Sequence, residues 1–121
     1  MSTPASSVTS TLEWAKVDLR RVPHVPVPPP GPLSRDQHAR CTKFFKGLSS
    51  QVKLFPVAFE SGAGCVLRDV DGNEYIDFSS GIYVTTLGHC HPKITEAVAK
   101  AAGQLMNAHD FTTPVKTRLV E

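Results

Sequence analysis

The chain has 121 residues, enough for one small domain, and its net charge of +2 gives no argument for nucleic acid or an anionic membrane as a partner. No apolar run approaches the roughly 20 residues of a membrane span. Three cysteines exclude a fully paired disulfide framework, so reduced thiols and a cytoplasmic location are expected.

The first 33 residues are predicted to form a disordered, proline-rich arm. Residues 1–11 are rich in Ser and Thr, and they leave an organellar targeting signal as an alternative to a frayed terminus. Residues 12–20 are compatible with a short helix or an anchoring segment around Trp14. Six prolines force residues 22–32 into an extended, polyproline-like path. That path predicts a stiff spacer laid over a surface, with a ligand for an aromatic groove as the alternative.

Helix signals come next. Ser34 and Gln37 have the spacing of a capping box, and apolar residues follow at helical intervals, so a helix is predicted over residues 35–46. A second helix is predicted from Pro92, whose apolar stripe reaches Leu105. A third begins at Thr113-Pro114.

Between the first two helices the pattern favours β-structure. Residues 61–64 are predicted to be a turn, and Asp71-Gly72-Asn73 is a strong hairpin signal. Strands are predicted at 55–60, 65–69 and 74–78. The result is a three-stranded antiparallel meander, followed by a glycine-bracketed loop over residues 79–91. The fold class expected from the pattern is α+β.

Residue spacing by itself predicts neither a catalytic residue nor a metal site. The sequence His89-Cys90-His91 has zinc-ligand chemistry but no partner pair at a recognisable spacing, so a turn before a helix is the favoured interpretation. The segment Asp69–Asn73 superficially resembles a calcium loop, but the hairpin interpretation is preferred because the twelfth position lacks Glu. None of the seven lysines lies in a visibly apolar stretch that would suit it to Schiff-base chemistry.

Residues 56–121 resemble the beginning of a class III pyridoxal-phosphate aminotransferase, the family of the 4-aminobutyrate, ornithine and acetylornithine enzymes. The resemblance is carried by PVAFESGAGCVLRDVDGNEYIDF, by SSGIYVTTLGHCHPKITEAV and by FTTPVKTRLVE. It implies a fold type I enzyme, α/β when complete, that acts as a homodimer with pyridoxal 5'-phosphate. Its substrates would be an amino donor and a 2-oxo acid acceptor. Residues 34–121 would then be the N-terminal segment of such an enzyme.

The resemblance also implies substrate-binding residues. Ile82 matches a position that flanks the substrate in 4-aminobutyrate-type enzymes, which favours a 4-aminobutyrate-like ω-amino donor. Tyr83 departs from the small residue common at the next position, and Val52 falls near a second substrate-facing position. The family's cofactor-binding lysine, its aspartate and its phosphate cup match positions beyond Glu121, so the chain by itself is expected to be inactive. The alternative is a non-enzymatic interaction module, or a subunit mimic, that docks on a homologous subunit.

Overall fold

A computed structural model describes residues 13–45 and 50–121, which form two compact units divided between His91 and Pro92. The disorder predicted for residues 1–11 lies outside the described residues. The regular elements are a 3-10 turn at Glu13–Ala15, helices α1 (Pro32–Phe44), α2 (Ser50–Leu54), α3 (Pro92–Ala102) and α4 (Pro114–Val120), strands β1 (Phe59–Ala63), β2 (Val66–Asp69) and β3 (Glu74–Ile76), and a single helical turn at Ser80–Tyr83.

The predicted antiparallel meander is confirmed, with strand order β1-β2-β3. The predicted first strand and turn were misplaced, because β1 runs over Phe59–Ala63 and includes part of the segment expected to turn. The connection is the two-residue turn Gly64-Cys65, in which Gly64 adopts a φ of 58°. Gly62 lies within β1, where the imidazole of His89 packs against it. An added Cβ would lie 3.0 Å from Cγ of His89, so a side chain at this position would displace that ring.

The third strand is shorter than the predicted 74–78. It ends at Ile76, and Asp77 turns its carboxylate onto the following backbone. Phe78, which belongs to the predicted strand over residues 74–78, therefore lies outside the observed strand and is 92% exposed. A side chain that hydrogen-bonds its own neighbouring backbone competes with the strand ladder, and here it ends the strand.

A buried carboxylate organises the β2–β3 turn. Asp69 is fully buried, and its Oδ1 accepts the backbone N–H groups of Asp71 (3.0 Å) and Asn73 (2.8 Å). Its Oδ2 accepts Nδ2 of Asn73 (2.9 Å) and the hydroxyl of Tyr75 (2.8 Å). Four donors on one carboxylate satisfy the acceptor capacity that burial would otherwise leave unpaired. The Asp-x-Asp-Gly-Asn pattern is therefore a structural hub of the hairpin.

The Tyr75 hydroxyl should give this hub a signature at high pH. Burial, together with the hydrogen bond to Asp69, raises the pKa of Tyr75 from 10.0 to about 12. Its contribution to stability is therefore complete below pH 10 and is lost as pH rises toward 12, because the unfolded chain releases the proton first. Ultraviolet titration of a Tyr83→Phe chain, which leaves one tyrosine, should show the phenolate forming late. Ionisation of Tyr75 near pH 10 in the folded chain would contradict this.

The proline-rich arm lies over the hairpin. His24 and Glu74 exchange both backbone hydrogen bonds (3.0 and 2.7 Å), and the backbone N–H of Val27 donates to Oδ1 of Asn73 (2.9 Å). Asn73 is fully buried, so its amide joins the arm to the Asp69 hub. The structure thus agrees with the interpretation of this segment as a spacer laid over a surface.

The capping box predicted at Ser34 and Gln37 is wrong, and α1 begins at Pro32. Its first free N–H groups, those of Leu33 and Ser34, donate to the carboxylate of Asp71 in the hairpin (2.8 Å each). The Ser34 hydroxyl is buried and instead accepts the N–H of Ala58 (3.4 Å). Although partial burial raises it, hydrogen bonds from Ser34 and Leu33 bring the pKa of Asp71 below its ordinary value of 3.8. A cap supplied across 37 residues of sequence cannot be recognised by local spacing.

The second unit contains α3 and α4. The predicted start of α3 at Pro92 is confirmed, but the helix ends at Ala102, before Leu105. The predicted start of α4 is also confirmed, because the hydroxyl of Thr113 accepts the N–H of Lys116 (3.2 Å). No helix in the described part of the chain has the length and apolar character needed to cross a lipid bilayer.

Candidate functional site

Two of the three predicted substrate-binding residues, Ile82 and Tyr83, share the turn Ser80–Tyr83. All four of its residues have positive φ, running from 49° at Ser80 through 58° and 60° to 66° at Tyr83. In this left-handed turn the carbonyl of Ser79 accepts the N–H groups of Ile82 (2.9 Å) and Tyr83 (3.2 Å), and the carbonyl of Ser80 accepts the N–H of Thr85 (2.9 Å). Left-handed backbone costs about 1–2 kcal/mol per non-glycine residue, and a β-branched residue such as Ile82 rarely adopts it.

The left-handed turn directs its side chains outward. Ile82 is 78% exposed and Tyr83 is 83% exposed. Backbone strain persists only where neighbouring contacts enforce it, and such contacts cluster at functional sites. The turn therefore presents two large side chains in an arrangement that its own sequence does not favour.

The entrance to the turn is held by Asp77, whose side chain is only 5% exposed. Its Oδ1 accepts the N–H of Ser79 (2.8 Å), the hydroxyl of Ser79 (3.0 Å) and the N–H of Ser80 (2.9 Å). Its Oδ2 lies 2.7 Å from Nε2 of His89. The hydrogen bond from His89 is the largest of the effects that lower the pKa of Asp77 to about 2. The carboxylate is therefore ionised throughout the neutral range.

His89 follows the turn in the chain and is bonded to the same carboxylate, that of Asp77. Its backbone exchanges two hydrogen bonds with Gly64 in the β1–β2 turn (2.8 and 3.0 Å). Gly88, which has a φ of 97°, lies close to the backbone of Gly64. A Cβ added at Gly88 would be 3.1 Å from Cα of Gly64. Residues 78–88 thus form a loop whose two ends meet at one carboxylate and are fixed to the hairpin.

The His89-Cys90-His91 segment is accounted for by these contacts. The His89 ring bonds Asp77, and the His91 ring packs against Trp14 with ring centroids 5.0 Å apart. The favoured interpretation, a turn before a helix, agrees with this arrangement, although a side-chain carboxylate engages His89 in addition to its backbone partners. Sequence reasoning missed Asp77 because alternation placed it in a strand. The Asp-x-Ser-Ser spacing, typical of an Asp side chain that caps a turn, could have identified it.

Val52, the third predicted substrate-binding residue, is placed on a different element. It lies on α2 and is 36% exposed, whereas Ile82 and Tyr83 belong to the left-handed turn. A concavity of about 410 Å³ lies elsewhere, between the arm and the hairpin, and none of the three residues lines it. Its lining carries both charge signs: Lys16, Val17, Asp18, Arg21, Val22, His24, Val66, Arg68, Gly72 and Glu74.

No lysine in the described part of the chain has the buried setting that Schiff-base chemistry needs. A lysine that performs carbonyl chemistry is normally desolvated, because burial lowers its pKa and frees the amine. Every described lysine is exposed, and the ammonium of Lys116 donates to the carbonyls of His109 and Phe111 (2.9 Å each). The described lysines are Lys16, Lys43, Lys53, Lys93, Lys100 and Lys116.

Curated aminotransferases match about half of this chain. A diaminobutyrate–2-oxoglutarate aminotransferase of Rhizobium meliloti (strain 1021) is 42% identical over 73 residues, which cover 59% of this chain and 16% of that protein. An acetylornithine aminotransferase of Clostridium acetobutylicum is 47% identical over 57 residues, 47% of this chain and 15% of that protein. The chain therefore spans about a sixth of the length of these relatives.

Solved structures agree with the fold. A transaminase with PLP bound superimposes with a TM-score of 0.60 at 33% identity, over 71% of this chain and 21% of that one. An omega-transaminase from Sphaerobacter thermophilus gives a TM-score of 0.64 at 26% identity, over 75% and 22% of the two chains. The predicted α+β portion of a fold type I transaminase is confirmed. The sequence profile of the family described as aminotransferase class-III matches residues 48–119, more than half of the chain. The chain belongs to the class III aminotransferase family.

Proposed function

We propose that this chain contributes the substrate-side loop of a pyridoxal-phosphate-dependent enzyme that moves an amino group from an ω-amino acid to a 2-oxo acid. The observation that carries the proposal is the class III match over residues 48–119, which contains the left-handed turn and its anchors. The cofactor supplies the electron sink of such a reaction. The chain's own residues supply part of the wall against which the donor is held.

The donor class follows from the chemistry of that wall. Ile82 offers an aliphatic surface, which binds a methylene chain by burial at about 0.8 kcal/mol per CH₂. The relatives' names include diaminobutyrate and acetylornithine, both amino acids with aliphatic chains that carry a second nitrogen. A 4-aminobutyrate-like donor suits an aliphatic wall, and discrimination among chain lengths should be modest.

The kinetic test uses the complete protein loaded with pyridoxal phosphate. Ile82→Ala should raise KM for 4-aminobutyrate roughly tenfold and change kcat little, because an apolar wall binds ground and transition states alike. Ile94→Ala, the same truncation on α3, is the matched control and should leave KM unchanged. Transfer confined to α-amino donors would refute the donor class, and absence of any amino transfer would refute the enzyme function.

The chain by itself should not turn over, since every described lysine is exposed to solvent. Adding pyridoxal phosphate to the 121-residue chain should produce neither the absorbance of lysine-bound cofactor nor amino transfer. Either signal would contradict this part of the proposal. We also propose a homodimeric, cytoplasmic enzyme, and the free state of Cys41, Cys65 and Cys90 supports a reducing compartment.

One observation favours the alternative, a subunit mimic that docks on a homologous subunit. The apolar stripe of α3 is open to solvent, with Ile94 47% and Val98 61% exposed. Mixing the chain with a complete class III aminotransferase and following co-elution would separate the two functions. A stable mixed complex that lowers the enzyme's activity would favour the mimic.

A further inference from the structure

We propose that Asp77 and His89 are a pair of positioning residues that hold the left-handed turn and thereby set the direction of Ile82 and Tyr83 toward the amino donor. The donor part of this inference rests on the proposed function. Neither residue needs to touch the substrate. Their effect passes through the backbone of residues 78–88, whose two ends they fix.

The turn requires an external hold. Three non-glycine residues, Ser80, Ile82 and Tyr83, have φ between 49° and 66°, where side chains meet their own backbone. The internal backbone hydrogen bonds of the turn, which run from 2.9 to 3.2 Å, would serve a right-handed turn equally well, so they do not select the hand. The three bonds to Oδ1 of Asp77 do fix the path by which the chain enters the turn.

The same carboxylate fixes the exit. Oδ2 of Asp77 is 2.7 Å from Nε2 of His89, and the His89 backbone is bonded on both sides to Gly64. Gly62 packs against the imidazole ring of His89. A Cβ added at Gly62 would lie 3.0 Å from Cγ of His89. His89 therefore has little freedom to move, and it passes this restraint to the carboxylate and onward to Ser79 and Ser80.

The side chains that would meet the donor have little support of their own. Ile82 and Tyr83 are largely exposed, so burial does not fix their orientation. Their direction follows from the backbone that carries them. A change in the hand of the turn would redirect both side chains together, without any change in their chemistry.

The structural test follows the turn directly in the 121-residue chain. A residue with positive φ has its amide and α protons close together, and it gives a strong intraresidue cross-peak in NMR. The chain has three isoleucines, so selective labelling gives resolved signals from Ile76, Ile82 and Ile94. Asp77→Ala should abolish the strong intraresidue cross-peak of Ile82. The intraresidue cross-peaks of Ile76 and Ile94, which do not have positive φ, should keep their intensities.

A matched control exists on the surface. His109 and Asp110 form another histidine–aspartate contact (3.1 Å), with side chains 80% and 95% exposed. Asp110→Ala removes an equivalent carboxylate far along the chain from the turn and should leave the Ile82 cross-peak intact. If the Ile82 cross-peak survives Asp77→Ala, the proposal is overturned.

The kinetic test uses the complete protein. Asp77→Ala should raise KM for the ω-amino donor roughly tenfold, with kcat within about twofold, because only the placement of a binding wall changes. Asp77→Asn keeps an acceptor for Ser79 and Ser80 and should recover most of the loss. Likewise His89→Gln, which retains a side-chain donor, should bind the donor better than His89→Leu.

Three further outcomes bear on the claim. If Asp77→Ala does not fold, Gly62→Ala is the second variant. Its methyl group displaces the His89 ring and should weaken the Ile82 cross-peak while the sheet remains; an unchanged cross-peak overturns the proposal. If the wild-type protein transfers no amino group, the proposed function fails and the cross-peak alone decides whether the pair holds the turn. A lost cross-peak with an unchanged KM would refute the role in donor placement.

Discussion

Replacing Asp69 by alanine should destabilise the hairpin by about 3–5 kcal/mol, the usual cost of removing one side of a buried charged network. Four donors, from Asp71, Asn73 and Tyr75, would lose an acceptor that is itself fully buried. Because whole domains are stable by only 5–15 kcal/mol, we expect most of the cooperative transition to disappear. Urea unfolding followed by the fluorescence of Trp14, the single tryptophan, measures the effect.

Asp69→Asn separates the contribution of the carboxylate's charge to stability from the contribution of its shape. The amide oxygen can still accept the N–H groups of Asp71 and Asn73, whereas its NH₂ group faces the amide of Asn73 and the hydroxyl of Tyr75. About half of the loss should therefore remain. Equal stability of Asp69→Ala and the wild-type chain would show that the buried carboxylate is not the hub of the hairpin.

Gly31→Ala should destabilise the junction between the arm and α1. An added Cβ would overlap the carboxylate of Asp71, the group that caps the helix through Leu33 and Ser34. Forcing a methyl group into filled space costs about 1–3 kcal/mol, and displacement of the cap adds to it. The midpoint of thermal unfolding, followed by far-ultraviolet circular dichroism, measures the loss.

Two variants test the mechanism at Gly31. Gly103→Ala introduces the same methyl group where the nearest atoms lie at the ordinary distances of 3.5 and 3.6 Å, so it should be neutral. In the Asp71→Ala background the overlap is absent, so Gly31→Ala should cost much less there than in the wild-type chain. Strictly additive effects would exclude the clash as the cause.

Local patterns predicted the meander, the Asp71-Gly72-Asn73 turn and the starts of α3 and α4. Each of these depends on neighbouring residues: a glycine with positive φ, a proline in the first helical turn or a threonine cap. These signals lie within a few residues of the structure they specify, so a single sequence contains them. The same reasoning explains why the class III resemblance could be assigned from short blocks.

Two of the errors share one physical cause, which is contact between residues far apart in the sequence. The pattern predicts a turn at Gly62, whereas the structure places Gly62 in β1, where His89 leaves no room for a side chain. The spacing predicts Ser34 as a helix cap, whereas the carboxylate of Asp71 caps α1. In both cases the competing partner is more than 25 residues away, where spacing carries no information.

Part of the candidate site could be predicted from the sequence and part could not. Ile82 and Tyr83 were proposed from family resemblance, and the structure places them together on one turn. The hand of that turn could not be predicted because left-handed backbone is disfavoured at Ile82, and the pairing of Asp77 with His89 joins residues 12 positions apart. Tertiary contacts override a local preference here, and such conflicts are expected where a site is built.

The closure of residues 78–88 onto a single carboxylate has a consequence for how such an enzyme can change its substrate. Because the loop leaves and rejoins the hairpin at one point, its tip can be exchanged without altering the register of any strand. Substitutions at Ile82 and Tyr83 can then occur independently of the rest of the hairpin, with little effect on folding. Under the proposed function, the fixed base and the variable tip would allow one scaffold to serve amino donors of different length and polarity.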